Sequence, residues 1–433
     1  MTHPTLAARI VAGLLTFLPL GCSEMPSKPM YRQLEASRAG ATQWGVVIGS
    51  IADSAAGGPV NLTDSAATIA CDLNQLGLTW VRVDAGDGTG DLSAYQKFVT
   101  VAHAHGVNVL VLVHPDNRTC AASDASCGAA SAWAGGYVAK VNHLIDAVFT
   151  GASAADAYEI GNEPNDGQSH ISPTSFAFLL DAVWQGVKKA PHASAFLVVS
   201  GGVYNTYVDE VAWWTPFFNA LPSEQPWDVF AIHPYDSASY GPNRDLSSWA
   251  ARVASSVGDI QARLSGLYGH PSRIWATEVG FSSASSGEDS AGDDDAQATA
   301  FAAADDALRG VTEVAFWYDY RDDEAGPGSE NKVFGIRRTS ANQYSAKPLY
   351  GAIALAFKAP GDPEACGAPD AGTEAGVANG CVTPNGRIVQ DGFYCGGEIG
   401  EPYPTFTYVC YDMGILYAVR DCSTCPGTPC VNP

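Results

Sequence analysis

An α/β fold, a (β/α)8 TIM barrel followed by a small disulfide-rich module, is predicted by three observations in the sequence. Eight β-rich runs recur between Gln43 and about Phe357, each trailed by a loop and an Ala-rich helical stretch. The runs are near-continuously apolar rather than alternating, the pattern of a parallel sheet covered on its outer face by helices. Six of the 11 cysteines crowd into the segment from Cys381 to Pro433, too short to bury a large core without covalent staples. Eight units over 43–358 leave room for long loops, since a typical barrel of this kind takes about 250 residues. An open doubly wound sheet would usually carry a Gly-rich phosphate turn after an early strand. The sequence has none.

The elements follow in order. Arg9 precedes the apolar run I-V-A-G-L-L-T-F-L-P-L-G-C, the length of a signal-peptide core and too short to span a bilayer. Leu18-Pro19-Leu20-Gly21-Cys22 resembles a bacterial lipoprotein signal, with Pro19 where that motif usually has Leu. The resemblance implies lipidation of Cys22, a signal over 1–22 and a tether over 23–42. The alternative is ordinary secretion. The eight runs are W-G-V-V-I-G, W-V-R-V-D, V-N-V-L-V-L-V-H, A-Y-E-I-G-N, F-L-V-V-S-G-G, D-V-F-A-I-H, R-I-W-A-T-E-V and V-A-F-W-Y-D. Residues 359–380 turn to Pro, Gly, Ala and acids, a linker to the Cys-rich module at 381–433.

Export permits disulfides. With Cys22 lipidated, ten cysteines remain. Cys120 and Cys127 share one loop and are expected to clip it. Cys71 on the first helix and Cys366 after the last are expected to pair, because first and last helices are neighbours in a closed barrel. The tail then keeps six. Cys422-Ser-Thr-Cys425 has zinc-type spacing, but no second pair or nearby His matches it, so three disulfides are expected there.

Acids outnumber bases 46 to 23, giving a net charge of -23. A field of that sign repels nucleic acid and anionic lipid, so neither is an expected partner. A membrane enters only through the N-terminal lipid, which makes the protein an outer-membrane or cell-surface lipoprotein, or a secreted one. A monomer is expected.

In a (β/α)8 barrel, chemistry sits at the C-terminal ends of the strands. Those ends carry Arg82 on the second run, His114 on the third, Asn162-Glu163 on the fourth, His233-Pro234-Tyr235 on the sixth, Glu278 on the seventh and Trp317 on the eighth. The stretch Y-E-I-G-N-E-P-N places Glu159, Gly161 and Glu163 on one face of a strand, with Pro164 ending its ladder. Glu159 lies deeper and is expected to pair with an Arg inside the barrel.

This ordered set resembles the active site of the clan A retaining glycoside hydrolases, family 5 above all and family 39 in its loops, across 43–358. The resemblance implies a glycosidase hydrolysing O-glycosyl compounds, with Glu163 as acid/base and Glu278 as nucleophile. Such enzymes need two carboxyls about 5–5.5 Å apart. It further implies that Arg82 keeps Glu278 ionised and that Tyr235 donates a hydrogen bond to the same carboxylate. Asn162 would bind the sugar 2-hydroxyl, His114 and His233 would support the site, and Trp317 would stack on a sugar ring. No H-E-x-x-H or comparable motif assigns a metal, and no cofactor is expected. The implied substrate is a β-linked polysaccharide or oligosaccharide. The rival reading is a surface lipoprotein that binds glycans without cleaving them. The run D-G-F-Y-C-G-G in the tail resembles Cys-rich C-terminal modules of secreted myxobacterial proteins.

Overall fold

The computed structural model describes residues 41–50, 66–85, 92–115, 130–165, 171–188, 196–204, 211–235, 245–283, 294–322, 333–338, 346–359 and 361, and the backbone of short strands between 381 and 421. These fall into two compact units, one within Gly40–Asn379 and one within Gly380–Pro433, each described by itself.

The first unit is a closed barrel. Its strands are β1 (Gln43–Ser50), β2 (Trp80–Asp84), β3 (Asn108–Val113), β4 (Ala157–Asn162), β5 (Leu197–Tyr204), β6 (Phe230–His233), β7 (Ile274–Val279) and β8 (Val314–Trp317). They pair in sequence order, all parallel, and β8 returns to β1 through Gln43↔Val314 and Val46↔Trp317. Helices α1 (Ala66–Gln75), α2 (Ser93–Ala104), α3 (Ala130–His143), α4 (Pro173–Val183), α5 (Val211–Ala220), α6 (Leu246–Tyr268), α7 (Asp294–Leu308) and α8 (Pro348–Phe357) follow the strands. The predicted (β/α)8 barrel is the fold.

Local chemistry sets the helix ends. Ser172 caps α4 by accepting from the Ser175 amide at 3.2 Å, with Pro173 in the first turn. Asp245 caps α6 through the amides of Ser247 and Ser248, and Gly269 ends it at φ 75°.

Strand parity builds two apolar layers. Outward residues such as Val81, Val111, Ile160, Ile232 and Ala315 pack under the helices. Inward residues (Trp80, Leu110, Ala157, Val199, Ala231, Trp275, Val314 and Phe316) plug the lower barrel, with the Trp80 and Trp275 rings 4.8 Å apart. Each buried Val, Leu or Phe side chain stabilises the fold by about 1.5–3 kcal/mol relative to exposure.

The same parity corrects the expectation for Trp317. Phe316 points into the barrel, so Trp317 points out. Its side chain is 0% exposed, packs on Phe301 of α7 and donates its indole N–H to the Phe334 carbonyl at 3.1 Å. It is a core residue, and Tyr318 takes the inward position. Asp294 at the start of α7 is buried and paired with Arg338.

The barrel closes over a buried polar knot. Asp72 on α1 accepts from Arg337 at both carboxylate oxygens, each 2.7 Å, and from the hydroxyls of Tyr320 and Tyr350. The knot joins the first helix to the segment after β8 and to α8. Cys71, beside it in sequence, is disulfide-bonded to a cysteine outside the described side chains.

In the second unit, β9 (Cys381–Val382) pairs antiparallel with β10 (Ile388–Val389). Strands β11 (Gly392–Cys395), β12 (Phe406–Tyr411) and β13 (Gly414–Asp421) form an antiparallel sheet. The signal and tether with Cys22, the Cys120–Cys127 loop, Cys366 and most of the 359–380 linker lie outside the described residues. No described helix is long and apolar enough to cross a membrane.

Candidate active site

Above the apolar plug the inward positions turn polar, and they turn polar together. Arg82 on β2 is buried and reaches three partners: Nε to Glu159 Oε2 at 2.5 Å, one terminal nitrogen to Glu278 Oε1 at 2.6 Å, the other to Asn162 Oδ1 at 2.7 Å. Burial alone would lower its pKa, but Glu159 and Glu278 carry it above the ordinary arginine value. The guanidinium is permanently charged.

Two departures from regular strand geometry aim the acids. At the end of β4, Gly161 has φ 80° and Glu163 has φ 42°. A left-handed Glu costs about 1–3 kcal/mol of backbone strain, the kind of conformation that concentrates at functional sites. The turn frees Asn162 and Glu163 from simple alternation. Glu163 N–H stays tied to the Gly202 carbonyl at 2.9 Å. On β7 the register slips against β8: Ala276 pairs with Ala315 but Val279 with Trp317. Two residues there, Thr277 and Glu278, oppose one, Phe316, a bulge that lets both face inward.

His233 on β6 stands between the two acids. Its Nδ1 lies 2.9 Å from Glu163 Oε1 and 3.8 Å from Glu278 Oε2, and its Nε2 lies 3.0 Å from Thr277 Oγ1. The ring fits because β5 carries Gly202 there: a Cβ on Gly202 would sit 2.0 Å from Nε2. Burial lowers the His233 pKa, and Arg82 pushes the same way against Glu278 and Glu159, which favours the neutral ring. Ligand atoms of Glu163, His233 and Glu278 all lie within 4.8 Å of one another. That spacing would suit a cation, but the hydrogen bonds account for it without one.

Burial raises the Glu278 pKa, with Glu163 and Glu159 adding to the rise and His233 and Arg82 opposing it. Tyr235 is buried beside these groups, and burial followed by Glu278 raises its pKa well above the usual tyrosine value. The sequence-based expectation gave its hydroxyl to Glu278. The hydroxyl has no hydrogen-bond partner among the described residues, so that bond is not formed. Tyr204, Tyr318 and Phe334 stand around Tyr235 at ring distances of 6.1–6.4 Å, an aromatic wall on one side of the acids.

His114 sits apart from the acid pair. Its side chain is 37% exposed and its Nε2 lies 3.0 Å from Asp84 Oδ2. Of the residues singled out from the sequence, Arg82, Asn162, Glu163, His233 and Glu278 are brought together, Tyr235 lies alongside, His114 is on the rim and Trp317 is absent. Thr277, Gly202 and Tyr318 were missed. A hydroxyl next to Glu278 in the otherwise apolar I-W-A-T-E-V was the available signal for Thr277.

A barrel of this topology, with Glu163 following β4 and Glu278 on β7 meeting at His233, and Arg82 holding Glu278, defines a clan A glycoside hydrolase. The sequence pattern of the family described as Cellulase (glycosyl hydrolase family 5) matches residues 65–317, more than half of the chain, and the protein belongs to that family. No curated protein matches it. Among solved structures it is similar to a family 39 glycoside hydrolase from Bacteroides cellulosilyticus WH2, with 18% identity, 74% of this chain and 64% of that chain covered, and a TM-score of 0.51. A monomeric beta-xylosidase from Caulobacter crescentus CB15 aligns at 14% identity over 73% of this chain and 68% of that one, with a TM-score of 0.50. The virulence factor SghA from Agrobacterium tumefaciens aligns at 11% identity over 77% and 100%, with a TM-score of 0.51. At these identities the likeness is one of fold. The chain spans just under two thirds of the family 39 enzyme.

Proposed function

We propose that the protein hydrolyses β-linked O-glycosidic bonds of a polysaccharide or oligosaccharide by double displacement, with Glu278 as nucleophile and Glu163 as acid, then base. The observation that carries this reading is the spacing of the pair. One oxygen of Glu163 and one of Glu278 lie within 4.8 Å of each other, which supports the about 5–5.5 Å carboxyl separation of retaining enzymes over the about 6.5–9.5 Å of inverting ones. The cellulase description of the family supports a β-linked polymer.

The roles divide by environment. Glu278 must be ionised to attack, and the Arg82 contact at 2.6 Å favours that charge against burial. Glu163 faces the His233 imidazole at 2.9 Å and must hold a proton for the leaving oxygen. Asn162, fixed by Arg82 through Oδ1, carries an amide NH2 able to donate to the sugar 2-hydroxyl. A glycan binder without catalysis would have no use for strained backbone under one acid and a bulge under the other. The same proposal has the protein exported through its N-terminal segment and held at the surface by lipid on Cys22.

Azide tests the assignment. In Glu163→Ala, a substrate with a good leaving group should still glycosylate Glu278 and then stall, and azide should release a β-glycosyl azide. In Glu278→Ala, azide should attack bound substrate directly and yield the α product. Each variant should lose about 10²–10⁴-fold or more on unactivated substrate. One anomer from both variants, or full activity in either, overturns the assignment.

A further inference from the structure

Beyond the two acids, the site contains a hydrogen-bond chain that constrains its proton positions link by link. It begins at Glu159, whose buried carboxylate is salt-bridged to Arg82 at 2.5 Å. Glu159 Oε1 accepts from Gly202 N–H at 3.0 Å and lies 2.8 Å from Thr277 Oγ1. A carboxylate only accepts, so the single hydroxyl proton of Thr277 points at Glu159. Thr277 Oγ1 therefore meets His233 Nε2, 3.0 Å away, as an acceptor, and Nε2 must carry the hydrogen. In the neutral ring, the form that burial and Arg82 favour, Nδ1 is left with a lone pair. The atom 2.9 Å from that lone pair is Glu163 Oε1, and two acceptors at that distance need a proton between them.

We propose that Thr277 is a positioning residue: its hydroxyl, engaged by Glu159, forces His233 into the Nε2–H tautomer, and the bare Nδ1 holds the proton that Glu163 delivers. The inference rests on the acid/base role proposed above for Glu163. In the first step the anomeric C–O bond breaks, its electron pair goes to the leaving oxygen, and the Glu163 proton goes to that same oxygen. Glu163 is then a carboxylate facing a lone pair rather than a donor, which makes it a better base. In the second step it takes a proton from water as the resulting hydroxyl attacks the anomeric carbon and Glu278 departs as a carboxylate. The opposite tautomer, with Nδ1–H aimed at Glu163, would stabilise the carboxylate and weaken both steps. The groups facing His233 are Glu159 and Glu163 from β4, Glu278 from β7, Arg82 from β2 and Tyr235 after its own strand. Among the described residues, the cation facing the ring is Arg82, already shared by two acids.

The test is spectroscopic and kinetic. The protein has 9 histidines, so 15N-imidazole spectra of full-length enzyme are compared with His233→Gln to assign the His233 signals. The expected wild-type pattern is a protonated Nε2 and an unprotonated Nδ1. Thr277→Val keeps the side-chain shape and removes the hydroxyl, and the tautomers should mix. Its kcat/KM on a substrate with a poor leaving group should fall by about 10²-fold, the lower end of what a general acid contributes. On an activated aryl glycoside it should stay within about threefold, because that step needs no acid, and the basic limb of the pH profile should move to lower pH. Thr277→Ser should restore the wild-type tautomer and profile. A proton on Nδ1 in the wild type, or equal losses on both substrates with an unmoved basic limb, overturns the proposal. The wild-type spectrum needs no variant to fold. If it shows Nε2–H while the azide experiment fails, the hydrogen-bond chain stands and the double-displacement reading falls.

Discussion

Among the described residues, Arg337 and Arg82 each anchor a buried cluster, and the clusters differ in the acids seen around each arginine. At the closing seam, Arg337 meets one carboxylate, Asp72, in a two-pronged contact, and the hydroxyls of Tyr320 and Tyr350 fill the remaining acceptor sites. At the mouth, Arg82 serves Glu159 and Glu278 at once, with Glu163 a few ångströms beyond. The first cluster is neutral and saturated and holds the first helix to the last. The second carries excess negative charge in a buried place, costly for stability and suited to acid–base chemistry at one sugar. The two arginine clusters thus differ in stoichiometry as well as in place.

Removing each arginine should break the comparison open. Arg82→Met leaves two buried acids without their cation, and Arg337→Met leaves one. Both should lower stability by about 3–5 kcal/mol, read as a fall in Tm. Only Arg82→Met should also cut kcat/KM below its melting range, by about 10²–10³-fold, the loss typical of one preorganised electrostatic contact. If Arg337→Met loses activity to the same degree while still folded, the seam cluster is not merely structural.

The pH dependence sharpens the contrast. Glu278 is an acid whose folded pKa is raised by burial. Its contribution to stability is full below the ordinary carboxylate value of about 4.3 and is lost as pH rises through the raised folded value. Two results follow. The acidic limb of kcat/KM should lie above the ordinary carboxylate range. Glu278→Gln should be inactive yet more stable than wild type at pH 7, by about 0.5–2 kcal/mol, as is common where function has been given up. That advantage should vanish in Tm measurements below about pH 4. A variant less stable than wild type at pH 7 would mean that the Arg82 contact outweighs burial.

How much of this was legible in the sequence follows from which physics is local. The eight strands were legible because near-continuous apolar runs alternate with helical stretches, and strand ends then nominated Arg82, Asn162, Glu163, His233 and Glu278. What failed was parity. Trp317 and Tyr318 are adjacent, and only the register of β8 in the closed barrel decides which one faces in. The bulge on β7 likewise shows itself only in pairing, so Thr277 looked like a strand residue rather than a link between Glu159 and His233. Gly202 is silent in sequence because its role is the absence of a Cβ where an imidazole from another strand must sit.

The smallest expected effect separates that adjacent pair of aromatics. Tyr318 is half-buried at the inner wall, 5.5 Å from the Phe334 ring and 6.4 Å from Tyr235, on the side of Glu278. A sugar seated between the acids would have this wall as its nearest apolar surface, and an aromatic contact is worth about 0.5–1.5 kcal/mol beyond its buried area. Tyr318→Ala should therefore raise KM by about 3–10-fold while leaving the azide products of the acid variants unchanged. Trp317→Phe removes part of a core ring and the hydrogen bond to the Phe334 carbonyl, so it should lower Tm with a cost of about 1–2 kcal/mol and leave KM unmoved. A KM that responds to Trp317→Phe and ignores Tyr318→Ala would return the sugar platform to Trp317 and overturn the inward assignment of Tyr318.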